Sequence, residues 1–172
     1  MEALTDAQML ASAGAAEAWS FVLNFLVLII LSIALFVFAY RYGKGALLSL
    51  IASFYVGFAV YTVFPYKEAV AGAAGGAAGT TVASIVIFLA FSFFAYYIIR
   101  KFSDGVFILF GNAGVFVLAL LASGFLIALS YHTFAIQDLY RYTPAIETYF
   151  TPAKYFFWWF IAPLLGLIGL AR

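Results

Sequence analysis

The side chains able to do chemistry in this sequence are few, and most stand at the edges of long apolar runs. His132 is the sole histidine. General acid–base work would pair it with Asp138, but that step crosses a polar interval, and no cysteine or second histidine completes a metal-ligand set. A histidine at the end of an apolar run is expected as a headgroup contact or a helix-end cap. A membrane enzyme using His132 with Asp138 at the outer face is the alternative. Asn24 and Asn112 are the most polar groups inside apolar runs, each a candidate for bonding a neighbouring helix or for a functional site. Neither comes with a nucleophile–base partnership, so the chain is read as non-enzymatic, with no catalytic residues, cofactor or metal.

What the apolar runs do carry is small and hydroxyl residues at four-residue spacing. Ser49, Ser53, Gly57 and Tyr61 form one stripe; Gly76, Thr80, Ser84, Ser92 and Tyr96 form another. Gly111, Ala119 and Ser123, with Gly124 and Ala128 beside them, form a third, and Asn24 and Ser32 stand in the first run. Such stripes let helix backbones approach closely and let hydroxyls bond across the contact. The sharper alternative is a mid-membrane cavity lined by Asn24, Ser53, Asn112 and Ser123, or an oligomer interface. Every Asp, Glu, Lys and Arg lies outside the apolar runs, which argues against a charge-coupled pump.

The elements that hold these residues follow from composition. The chain is 67% hydrophobic and 9% charged, against about 25% charged in soluble domains, so a water-soluble fold is excluded. An all-α, polytopic transmembrane bundle with four or five spans is expected. Its four-helix core is 19–131, with spans 19–40, 46–64, 80–99 and 106–131. Runs of about 20 residues cross a hydrocarbon core of about 30 Å. The run 106–131 is longer than needed and must tilt or break near Gly111-Asn112-Ala113-Gly114. The Gly-rich stretch Ala69–Gly79 reads as a flexible outer loop, or as a bend at the entry to the third span. It lacks the Lys-Ser/Thr ending of a phosphate cradle. Residues 132–154 form a polar loop whose aromatics lay it along the membrane surface. Residues 155–172 hold a short run with Pro163, either a fifth span or a re-entrant segment.

Charge sets the orientation. The acidic segment 1–18 contains Glu2, Asp6 and Glu17 and no Lys or Arg, so no cleavable signal peptide is expected there, and Thr5 with Gln8 fits a capping box for a short helix. Arg41, Lys44, Arg100 and Lys101 would be cytoplasmic anchors, while six of the seven acids fall on the opposite side. The positive-inside rule then puts the N-terminus outside. The partners implied are the lipid bilayer, and a second copy or other membrane proteins; a net charge of +1 gives no reason to expect nucleic acid. Without cysteine, disulfides are excluded.

One hairpin carries a resemblance. A span, the Gly/Arg-type link Tyr40-Arg41-Tyr42-Gly43-Lys44-Gly45, then Ala46-Leu47-Leu48-Ser49-Leu50 and Gly57, is similar to the colicin V production protein family over roughly residues 20–131. The third run ending at Arg100-Lys101 fits the same plan. Family members often carry an acid early in the first span, where this chain has Asn24. The resemblance implies a bacterial inner membrane and an accessory or structural role, in toxin production and secretion or in envelope homeostasis. The other function kept open is a small transporter or channel subunit binding a ligand or partner helix within the bundle.

Overall fold

The computed structural model describes residues 19–102 and 111–170. The chain is an all-α helical bundle, as the apolar runs require. Among the described residues the helices are, in chain order, α1 (Leu26–Tyr42), α2 (Lys44–Val63), α3 (Lys67–Ala73), α4 (Ala77–Phe102), α5 (Asn112–His132), α6 (Pro144–Phe150) and α7 (Ala153–Leu170), with a 3-10 turn at Ile136–Asp138. Four of these, α2, α4, α5 and α7, are long and apolar enough to cross a membrane. The final run is thus one continuous helix of 18 residues despite Pro163.

α5 is the hub. Gly114, Ala119, Ala122, Ser123, Gly124 and Ala128 are all buried on it, and small side chains let α1, α2 and α7 close on it from different sides. α4 packs along α2 and, near its start, on α3 and the 3-10 turn, while its exposed Phe93, Phe94 and Tyr97 face outward. One apolar cluster joins Leu35, Leu47, Ile51 and Leu118 near the α1–α2 link, and a second joins Phe54, Phe88, Phe125 and Phe134 further along.

Several expected boundaries move, each for a local reason. The run 19–40 is not one straight helix: residues 19–24 are helical, Phe25 breaks the geometry at φ −109° and ψ 16°, and α1 continues to Tyr42. Thr143 Oγ1 donates to the Asn24 carbonyl at 2.5 Å, and a side chain inserted into the backbone ladder bends a helix there. The excess length expected of 106–131 belongs to α4 instead, which runs for 26 residues, while α5 starts at Asn112 behind an extended Gly111. The first part of that expected run, 106–110, lies outside the described residues, as do residues 1–18 with their expected capping box and short helix.

The Gly-rich stretch is not a loose loop. α3 takes its first part, to Ala73, α4 takes its end, from Ala77, and Gly75 and Gly76, at φ +73° and +115°, turn the chain between them. The link between α1 and α2 is a single residue, Gly43, at φ +93°, a conformation that strains any side chain with a Cβ. Residues 133–152 fold as a cap built from the 3-10 turn and α6 rather than as an open loop.

Candidate functional site

The α2 stripe and the 119–128 part of the α5 stripe face inward, while Gly76 and Gly111 are exposed and Ser84 and Tyr96 half-buried; the buried hydroxyls do not bridge helices, and that of Ser92 has no partner. Ser49, Ser53 and Gly57 are buried on α2, with Tyr61 at the end of the same line. Ser49 Oγ donates to the Gly45 carbonyl (2.9 Å), Ser53 to Leu50 (2.6 Å), Ser32 to Leu28 (2.7 Å) and Ser123 to Ala119 (2.8 Å). Each hydroxyl is satisfied by its own helix, so the stripe acts through size. A Cβ on Gly57 would stand 2.9 Å from the Ser92 Cα, so α2 and α4 touch backbone to backbone there. A Cβ on Gly124 would stand 2.5 Å from Trp159 Cε3, and that indole cannot swing aside. It stacks on Phe150 at 4.5 Å and donates to the Tyr149 carbonyl at 3.1 Å.

One polar bond does cross the interior. Tyr55 Oη donates to the Phe160 carbonyl at 2.5 Å, linking α2 to α7. Phe160 stands in the turn just before Pro163, next to Trp159, whose carbonyl is the one that the proline leaves without its helical N–H. Proline has no N–H for the preceding turn, its ring pushes that turn open, and neighbouring side chains satisfy the released groups in apolar surroundings. The Tyr55 ring is itself held, stacked on Phe125 at 4.6 Å and edge-on to Phe160 at 5.1 Å.

The two ends of the bundle differ in charge. Arg41, Lys44, Arg100 and Lys101 all lie at the Gly43 end, where no acid stands among the described residues. Arg100 Nη2 reaches the Tyr42 carbonyl at 3.5 Å, and a cleft of about 210 Å³ opens between Tyr40, Gly43, Lys44, Asn112 and Val115. Lys67, Glu68, Asp138, Arg141, Glu147 and Lys154 mix both signs at the far end. There the cap is stitched to the bundle: His132 Nε2 bonds the Phe150 carbonyl at 3.1 Å, and Thr81 Oγ1 donates to the Ala135 carbonyl at 3.4 Å. On the cap, Gln137, Arg141, Pro144, Glu147, Thr148 and Thr151 line a polar pocket of about 540 Å³.

The structure does not gather Asn24, Ser53, Asn112 and Ser123 around one cavity. Asn24 is at the cap end and Asn112 is exposed at the Gly43 end, at the first position of α5 rather than within a span. Ser53 and Ser123 are fully buried between packed side chains. Ser84 is only half-buried on α4; the residues of that helix that face α2 are Phe88, Ser92 and Ala95. His132 packs at a tilt against Phe156, ring centroids 4.6 Å apart, with no bond to Asp138. No group of three or more His, Cys, Asp and Glu side chains placed to hold a metal occurs among the described residues.

Sequence reasoning passed over Tyr55, Trp159 and the cap pocket. A tyrosine in mid-run and a proline in another run were the available signals, because each leaves a polar group that must find a partner. Compared with known proteins, the chain matches no family model, no curated protein and no solved structure.

Proposed function

We propose that the chain is a non-enzymatic accessory protein of a bacterial inner membrane, with the Gly43 end in the cytoplasm and the cap outside. The role is the one implied by the hairpin's resemblance to the colicin V production family: support of toxin production and secretion, or of envelope homeostasis. The observation that carries the reading is the seam of small residues on α2 and α5, with its hydroxyls turned back on their own helices. Such an interior is built for fixed helix packing, and the apolar outer faces of α4 and α7 remain for lipid or for neighbouring helices. The four cations at one end favour the cytoplasmic side by the positive-inside rule and draw that end to anionic headgroups.

The test is deletion in the native host, reading secretion of a peptide toxin and sensitivity to detergent. Loss of either, restored by the wild-type chain and by His132→Ala but not by Gly57→Leu, is the expected result. Unchanged secretion and envelope integrity on deletion would contradict the reading, and failure of His132→Ala alone would return the histidine to an enzymatic role.

A further inference from the structure

The cap pocket holds two opposite charges that do not meet. Arg141 and Glu147 both line it, yet they form no ion pair with each other. Around them stand Gln137, Thr148 and Thr151, all able to hydrogen-bond. Two unlike charges on an exposed surface ordinarily either pair or point apart into water. Here the same polar concavity keeps them separate, with room for a molecule that carries a charge for each. Its volume, about 540 Å³, lies within the ~300–1,000 Å³ of small-molecule sites.

Behind the lining stands Tyr131, near the end of α5; it is 8% exposed and its hydroxyl has no accessible surface, so it does not open into the pocket. The Glu147 carboxylate and the Thr151 hydroxyl, both part of the lining, are its polar neighbours, and Tyr142 packs on its ring at 5.3 Å.

The surroundings set the class of ligand. Tyr140 and Tyr149 are exposed on the cap and Trp158 on the first turns of α7, and such amphipathic side chains gather at the level of lipid headgroups. We propose that this pocket binds an ammonium–phosphate zwitterion, the chemistry of the ethanolamine phosphate headgroup. The ammonium sits against Glu147 and the phosphate against Arg141, with Gln137, Thr148 and Thr151 beside them. The same chemistry comes from phosphatidylethanolamine in the bilayer or from free ethanolamine phosphate in solution. The site does not depend on which face of the membrane carries the cap.

The experiment uses the full chain purified in a neutral maltoside detergent. Binding of short-chain phosphatidylethanolamine, of soluble ethanolamine phosphate and of phosphatidylglycerol is measured by titration calorimetry. The zwitterions are expected to bind, and phosphatidylglycerol at least tenfold more weakly. Glu147→Gln and Arg141→Gln should each weaken the zwitterion at least tenfold. Binding of the lipid alone assigns the headgroup as the source; binding of both assigns a soluble zwitterion as well. No binding of either zwitterion, or binding unchanged in Glu147→Gln, overturns the proposal.

Discussion

Gly57 and Ser53 stand one turn apart on the same buried stripe, and the structure assigns them opposite tolerances. The Ser53 hydroxyl returns to the Leu50 carbonyl, so Ser53→Ala removes no contact between helices. Its cost should stay below about 0.6 kcal/mol, the average worth of side-chain hydrogen bonds in membrane bundles. Gly57→Leu must push α4 away, because the Ser92 backbone occupies the space where its Cβ would stand. Overpacking of this kind costs about 1–3 kcal/mol or more. Thermal unfolding in detergent should show Ser53→Ala melting with the wild type and Gly57→Leu melting clearly lower. Equal melting of both variants would mean that the α2–α4 approach is not tight. The stripe itself was legible in the sequence, since four-residue spacing needs only a helix. The destination of the hydroxyls was not, because a serine can bond its own helix or its neighbour with the same spacing.

At the scale of elements, Tyr55 and Pro163 act as a pair across α2 and α7. Pro163 withholds an N–H from the Trp159 carbonyl and loosens that turn, and Tyr55 bonds the next carbonyl in it, that of Phe160. Tyr55→Phe keeps the ring on Phe125 and removes only the donor, so it should destabilise by roughly 0.6–1.7 kcal/mol. In a Pro163→Ala background the new N–H closes the turn on the Trp159 carbonyl, the Phe160 carbonyl bonds the Leu164 N–H in a regular helix, and the same change should cost less. A double-mutant cycle in detergent measures this coupling, and strictly additive effects would show that the two residues act independently. The sequence made α2, α4, α5 and α7 readable as apolar runs of spanning length. It could not place the bend at Phe25, because the hydroxyl that causes it belongs to Thr143, on the cap. Nor could it show that the glycines at 75 and 76 make a turn between two helices, since the residues beside them suit either a loop or a helix.

Across the whole molecule, the central feature is a bundle whose interior is apolar and whose ends differ in charge. Arg41, Lys44, Arg100 and Lys101 at one end, and both signs at the other, were visible once the apolar runs had been marked off. What the sequence left open was the last run, and the continuous α7 returns the chain to the Gly43 end, where Leu167 and Leu170 pack beside Leu35 and Leu47. Residues far apart in sequence therefore belong to the same face, which gives the membrane reading a direct physical consequence. The chain has no cysteine, so single cysteines can be introduced one at a time without a background. Lys101→Cys and Gly169→Cys mark the Gly43 end, and Ala77→Cys and Thr148→Cys mark the cap end, all at exposed positions. A membrane-impermeant maleimide applied to intact spheroplasts should label Ala77→Cys and Thr148→Cys, and should reach Lys101→Cys and Gly169→Cys only after the membrane is opened. Labelling of all four in intact spheroplasts, or of the Gly43 end alone, would contradict a bundle that crosses the bilayer with its basic end in the cytoplasm.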